Sequence, residues 1–583
     1  MQVTQSPPAR LTATSRPGLL ERLTIEHGIW LALGALVAIT RLWALGDSPL
    51  SNAEAALANE ALALARGHAA APLDPLLGGL MGVLFAVFSP TAASARFVPA
   101  LASVGVCLVP YLFRARIGRT AALLLGGLLA LSPTLWFLGR QADGSLLAWT
   151  LALLAWAFAQ RNQPRASGAA LGALLATGTD AVVPVVVLVL IASLGLWGSA
   201  FPLARVLPVG LAAFALGATT LLWNLPGAAS ALAGIADYFT GFVRNGPMTV
   251  GRAMLGLLVY ELAIVLGALA ELFLSRQAYL KAVTGECTTL ALRPGWLVML
   301  FAGLLLAVLR SARSAADIAP VAIAASAMTA LLLARVLGAL TAQRGWLSAG
   351  ITAGLSLIFL LVAELGLRQY AGLGDNRWLV LGILALFIIC TGAIALTLRL
   401  NGTAIGQGVI LALAVFFSLG AVGKSIALTV THPANPAEPW VTDAITRQAA
   451  ALQRTVEELA TRAYGDPATL PIEISEKAPP AIRWALRGQM YAAYVSQPQA
   501  PAAALLPGDA AFANAKGYLA NGVPVLERNS LNSVRCTQVG DKMDCQPLAR
   551  WIVLREASED VPTQWTLYVR SDIATRAAGQ GWK

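Results

Sequence analysis

Trp378-Leu-Val-Leu-Gly-Ile-Leu-Ala-Leu-Phe-Ile-Ile-Cys-Thr-Gly-Ala-Ile-Ala-Leu-Thr-Leu398 runs for 21 residues without a charged side chain. A helix rises 1.5 Å per residue, so a stretch of this length covers about 30 Å, the hydrocarbon thickness of a bilayer. Similar runs flank it at Trp296–Leu309, Ile318–Leu340, Leu347–Leu367 and Val409–Leu428. Toward the N-terminus they recur at Ile29–Ala44, Phe97–Phe113, Ala121–Leu138, Leu146–Ala159, Val182–Trp197, Val206–Trp223 and Met254–Leu274, with a shorter one at Gly168–Ala176. The reading is a mostly α, polytopic membrane helical bundle of about twelve or thirteen spans.

Composition points the same way. Of 583 residues, 57% are hydrophobic and 12% charged, whereas a soluble domain carries about a quarter charged residues. The formal net charge is +11, but it is not gathered on one polar face as in a nucleic-acid binder. Residues 431–583 hold 15 Lys+Arg against 15 Asp+Glu, so the excess lies in the first 430 residues, between apolar runs. That distribution belongs to loops beside a membrane and excludes nucleic acid as the partner.

The positive-inside rule sets the orientation. Arg114, Arg116 and Arg119, then Arg161 and Arg165, mark cytoplasmic turns. Residues 1–27 are polar, carry Arg10, Arg16 and Arg22, and run straight into the first span. They read as a cytoplasmic tail rather than a cleavable signal, in a multi-pass protein of a prokaryotic plasma membrane. Residues 28–430 form the transmembrane domain, with a first outer loop at 45–95. In that loop Ala53–Arg66 reads as an amphipathic interfacial helix, and Leu73–Phe88 as juxtamembrane or re-entrant. The remaining 431–583 form an extracytoplasmic domain. It opens on the Pro-rich linker around His432, continues in a helix over 441–463, and has strand-like runs at 471–474, 523–526, 551–554 and 565–569. A small soluble α/β fold is expected there. Cys536 and Cys545 flank a polar stretch that a disulfide would close in an oxidising compartment. His27, His68 and His432 are scattered and form no local zinc motif.

Acids on the outer side are the candidates for chemistry, because a carboxylate there can serve as a base or hold a cation. They are Asp47, Glu54, Glu60, Asp74 and Asp143. Within or near apolar runs, Glu261, Glu271 and Glu364 are costly enough to require an explanation. Arg483 and Arg487, four residues apart, make either a phosphate-binding face or a solvated one.

The stretch Arg41-Leu-Trp-Ala-Leu-Gly46, then Pro49-Leu50 and Glu54-Ala55, begins an ordered series. Pro72-Leu73, Ala95-Arg96-Phe97-Val98-Pro99-Ala100, Leu131-Ser132-Pro133 and Arg140 to Asp143 follow. Over about the first 200 residues this series resembles the GT-C glycosyltransferases. These are the polyprenyl-phosphate-sugar-dependent membrane enzymes that include protein O-mannosyltransferases and bacterial lipid A aminoarabinose transferases. Further on, Pro479-Pro480-Ala481-Ile482-Arg483-Trp484-Ala485-Leu486-Arg487-Gly488 loosely resembles a motif of GT-C-like prokaryotic proteins associated with lipid-linked glycan flipping.

The resemblance implies sugar transfer from a polyprenyl-phosphate donor to a glycan, lipid or protein acceptor at the outer membrane face. Glu54 and Asp143 are its catalytic acids, and Arg96 and Arg140 its donor-phosphate ligands. It leaves open whether a divalent metal ion takes part. Two positions depart from the pattern: an essential Asp of the first loop is Ala53 here, and a Lys-Gly is replaced within Thr177-Gly178-Thr179-Asp180. The alternative is therefore a catalytically inactive GT-C-fold protein acting in binding or assembly during glycan export. A secondary transporter would need interrupted helices in matching halves, and the sequence has no such symmetry.

Overall fold

The computed structural model describes residues 24–198, 202–274, 292–343, 346–397, 402–510, 512, 515–527, 531, 534, 536–539, 542–557 and 562–578. Seven of its helical stretches are long and apolar enough to cross a membrane: Ile25–Leu42, Ala92–Ile117, Val250–Leu274, Ala315–Thr341, Trp346–Leu373, Asn376–Thr397 and Gly402–Thr431. Shorter apolar helices, among them Arg119–Leu131, Ser145–Gln160, Leu203–Ala218 and Arg293–Leu309, pack between them. The short run at 168–176 belongs to a complete helix, Pro164–Leu175. It lies against Leu203–Ala218 at backbone contact. A Cβ on Gly172 would sit 2.0 Å from the Gly210 carbonyl oxygen, and one on Gly168 2.5 Å from that of Val206. Only glycine permits so close a crossing, the usual device where helices associate without a hydrophobic drive.

The intramembrane acids are explained by partners. Glu261 sits at a kink in Val250–Leu274 and accepts bonds from Ser132 Oγ (2.6 Å) and Thr134 N (2.9 Å), capping the short helix Pro133–Leu138. Glu271 pairs with Arg335 and lies 3.9 Å from Arg293, and Glu364 pairs with Arg368 at 2.9 Å. Glu261 and Glu271 are buried and held by donors or an opposite charge, as burial demands, whereas the more exposed Glu364 makes an i,i+4 pair along its helix.

We label five elements. α1 is Ile25–Leu42, α2 is Asn52–Ala65, α3 is Pro75–Val87, α4 is Ala92–Leu108, and α5, in the C-terminal domain, is Pro480–Ala485. The sequence reading of α2 as an interfacial helix needs correction. Ala55, Ala58, Ala61, Leu62 and Leu64 are buried, and so is Glu54. One hydrophobic core joins α2 and α3 to Val456, Ile472, Leu505 and Leu567 of the C-terminal domain. The alternation of Ala and Leu on α2 fits a helix covered by protein on several sides, where small residues admit close neighbours. The apolar stretch after it is a regular helix, α3, which Asp74 starts by accepting a bond from Leu77 N at 3.1 Å.

The C-terminal domain is α/β. Its six-stranded mixed sheet places in spatial order Ala444–Ile445, Tyr518–Glu527, Thr563–Arg570, Ala503–Pro507, Ile472–Ser475 and Ala492–Val495. The expected helix begins at Arg447 rather than 441, because Ala444 and Ile445 pair with Glu527 and Leu526 and Thr446 caps the helix that follows. Trp551 to Leu554 is helical, within Gln546–Leu554, not a strand. Its Trp551 is fully buried and donates to the Ala437 carbonyl at 2.8 Å. Cys536 and Cys545 are disulfide-bonded across a small two-stranded ladder. The Pro-rich linker is fixed rather than loose. Arg252 donates to the carbonyls of Pro439 (2.9 Å), Glu438 (2.9 Å) and Val441 (2.6 Å).

Candidate active site

A cavity of about 480 Å³ opens where the first loop, the second loop (139–144) and the linker meet, at the end of the bundle that carries the C-terminal domain. Ala53, Glu54, Glu60, Asp74, Arg96, Asp143, Asp180 and Asp443 are among the residues lining it. Glu54 and Asp143, proposed together from sequence, do share this wall, but they stand in different chemical states.

Glu54 is saturated. Arg96 grips it with two parallel bonds, Nε to Oε1 at 2.7 Å and Nη2 to Oε2 at 2.9 Å. The backbone N–H groups of Ser51 and Ala142 each donate to the carboxylate at 2.8 Å. Burial alone would raise the Glu54 carboxyl, but the Arg96 charge and these bonds hold it below the usual range. Arg96 spends its remaining donors on the carbonyls of Leu45, Ser48 and Pro49 and on Ser48 Oγ, at 2.8–3.2 Å. Arg140 lies away from this cavity, in another of about 700 Å³ lined by Asp47 and His432. Its guanidinium closes the C-terminus of α1, donating to the carbonyls of Arg41 (3.2 Å), Trp43 (2.6 Å) and Ala44 (3.0 Å). Arg41 is buried too, bonded to Ser103 Oγ and the Ala130 carbonyl and stacked 4.3 Å from the Trp136 ring. The basic residues of the ordered series thus tie α1, α4 and the two loops together.

Three other carboxylates, those of Asp74, Asp143 and Asp180, gather at one wall of the cavity. Asp74 is 7% exposed; its Oδ1 caps α3, and its Oδ2 is buried without a hydrogen-bond partner. A Cβ placed on Gly144 would fall 1.8 Å from Asp74 Oδ2 and 2.5 Å from Asp180 Oδ2, so the two oxygens converge over this glycine. Asp143, the next residue, accepts from Ser145 N at 2.9 Å through Oδ1. Burial and the Asp143 charge push the Asp74 carboxyl up to about 8. Burial, with Asp317 and Glu54 nearby, raises Asp143 as well. A carboxyl raised in this way holds its proton more readily than a free one.

Of the other outer acids named from sequence, Asp74 and Glu60 share the cavity and Asp47 lines that of Arg140. Asp180 escaped the sequence reading as a site residue. Its signal was there: Asp74, Asp143 and Asp180 each sit where an apolar helix begins, which puts them at one level of the bundle. Arg483 and Arg487 are occupied elsewhere. Arg487 donates to the Pro90 carbonyl (2.9 Å) and stacks on Trp484, and Arg483 lies over Tyr494. Among the described residues, no three His, Cys, Asp or Glu side chains are gathered so as to hold a metal ion. A divalent ion at the Asp74–Asp180 pair would need ligands from a substrate as well.

This membrane bundle, with its loop cavity capped by a small α/β domain, has the GT-C glycosyltransferase fold. The crystal structure of ArnT from Cupriavidus metallidurans bound to undecaprenyl phosphate superposes with a TM-score of 0.52 at 15% identity, covering 85% of this chain and 97% of that one. Apo ArnT gives 0.51 at 13% identity, covering 94% and 99%. Compared by sequence, the chain matches no family model and no curated protein.

Proposed function

We propose that the protein transfers a sugar from a polyprenyl-phosphate donor to an acceptor at the outer face of the membrane, within the acid-lined cavity of the two loops. The N-terminus is then cytoplasmic and the C-terminal domain extracytoplasmic. The observation that carries this reading is the cavity itself: carboxylates gathered between the loops, one with a buried oxygen lacking a partner, on a fold whose ArnT example holds undecaprenyl phosphate. Asp143 is the base that takes the proton of the acceptor hydroxyl. Glu54, Arg96 and Arg140 act as positioning residues, since their bonds are already made within the protein.

Photo-crosslinking tests the placement. A polyprenyl phosphate with a photoreactive group next to the phosphate, irradiated with the protein in lipid nanodiscs, should label peptides 48–60, 137–144 and 433–445. Labelling confined to other faces of the bundle contradicts the reading.

The second reading, a non-catalytic protein of glycan export, is favoured by Ala53, which lines the same cavity. If it holds, the wild type transfers no sugar and Ala53→Asp gains transfer. An active wild type excludes it.

A further inference from the structure

The disulfide-bonded part of the C-terminal domain is a small unit of its own. Cys536 and Cys545 are joined across the ladder of Thr537–Val539 and Lys542–Asp544, which among the described residues pairs with no strand of the six-stranded sheet. The apolar cluster beneath it is slight, with Leu531, Val534, Leu548 and Trp551 packed on Leu255 and Val259 of a span. So small a core is the kind that a covalent staple stabilises. Cys545 is also the N-cap of Gln546–Leu554, and its carbonyl accepts from Ala549 N at 3.0 Å, so the disulfide fixes where that helix starts. The other end of the helix grips the linker. Besides the bond from Trp551 to the Ala437 carbonyl, Arg555 Nε lies 3.1 Å from Glu438 Oε2, and the Arg555 carbonyl accepts from Asn435 Nδ2 at 3.3 Å. Tyr260 donates to the same Glu438 oxygen from the span below. Arg555 makes these contacts at a φ of +57°, where glycine is the usual residue to end a helix. Arg252 grips four linker carbonyls between Pro436 and Val441, while the Asn435 side chain and the Ala437 carbonyl are held by the helix end.

We propose that the Cys536–Cys545 disulfide is a redox-sensitive strap on the linker wall of the acid-lined cavity: intact, it holds residues 433–438 in place, and reduced, it releases them. Pro433 and Ala434 line both that cavity and the one beside Arg140, so the position of this short stretch sets the wall between the two. Both cysteines are half-buried, which leaves the bond within reach of a small thiol. The exchange is balanced: a dithiol gives up two electrons and two protons and becomes a disulfide, as Cys536 and Cys545 become thiols. The inference rests on the reading of this cavity as the substrate site, but it is measured first by local exchange, so the two fail separately. Local loosening in a wild type that transfers no sugar would sink only the enzyme. Transfer with unmoved exchange would sink only the strap.

The test uses the full chain in nanodiscs, with and without dithiothreitol, reduction being confirmed by alkylation of Cys536 and Cys545. Hydrogen–deuterium exchange is read at the amides of Asn435, Ala437 and Glu438, each of which is bonded within the linker. Reduction should speed exchange there at least tenfold while Ala503–Pro507 and the spans stay protected, and reoxidation with glutathione disulfide should restore it. A Cys536→Ser, Cys545→Ser double variant should match the reduced protein in both conditions. Trp551→Phe keeps a ring in the packing but loses the donor, and should loosen the same amides with the disulfide intact. Sugar transfer by wild type should fall at least fivefold on reduction and return on reoxidation. Exchange unchanged in the reduced protein, loosening spread equally over sheet and spans, or an active enzyme indifferent to reduction overturns the proposal.

Discussion

At the residue scale, the ion pair of Glu54 and Arg96 shows why a motif can mark a fold without marking its chemistry. Both side chains are buried, and truncating either leaves the other charge uncompensated, at a cost of about 3–5 kcal/mol. We therefore expect Glu54→Gln and Arg96→Gln each to lower the thermal midpoint of the purified protein sharply, whereas Asp143→Asn leaves it nearly unchanged. Equal stability across the three would contradict the assignment. Gly144→Ala should be worse for the site than its size suggests, because its methyl falls on the Asp74 and Asp180 oxygens. Sugar transfer by this variant should fall by about tenfold or more at equal folding, and unchanged transfer would contradict the crowding. Asp74 also gives stability a pH signature, with Asp143 and Asp180 the charged groups that face it. Between its ordinary value of 3.8 and about 8, the folded protein keeps a proton that the unfolded chain has lost. Its stabilising contribution is complete below that window and fades as pH rises through it. In a pH series the wild type should lose stability relative to Asp74→Asn toward pH 8, and a parallel pair of curves would refute this. Glu54 was legible in the sequence as a special residue, but its role was not, since four donors from three chain segments meet there only in the folded state.

At the element scale, the apolar spans were legible because a bilayer imposes a single length rule on every one of them. The exceptions are instructive. α2 was misjudged because Ala and Leu with two glutamates reads as an amphipathic surface helix, while its cover comes from residues more than 400 positions away. Asn52 accepts from Ala481 N, and Asn59 donates to the Pro480 carbonyl. The proline-rich C-terminal motif is thus the dock for α2: α5 lies on it, Trp484 packs 5.7 Å from the Phe85 ring of α3, and Arg487 holds the turn at Pro90. Trp484→Ala removes an aromatic anchor, worth about 3–5 kcal/mol in a packed core. It should expose the joint between loop and domain to limited proteolysis near residues 66–72 while leaving the spans protected. Unchanged cleavage would show that the dock is incidental. The strand-like reading of Trp551 to Leu554 failed for a related reason: four apolar residues carry no period long enough to separate a strand from a buried helix.

At the scale of the whole molecule, loops and C-terminal domain share a core, and the cavity is walled by both loops, by segments around Asp180, Met248 and Ala315, and by the linker. Sequence order alone brought Glu54, Asp74 and Asp143 to one side of the bundle, and the folded chain added Asp180. Catalysis in that cavity is what the fold and the carboxylates point to together. Its most direct test is transfer from a panel of radiolabelled polyprenyl-phosphate sugars by wild type and Asp143→Asn in nanodiscs, with endogenous lipid extract as the acceptor source. Wild type should give labelled product from at least one donor, and Asp143→Asn should lose about 100-fold or more at equal folding. Full transfer by Asp143→Asn, or no transfer from any donor by folded wild type, would contradict it.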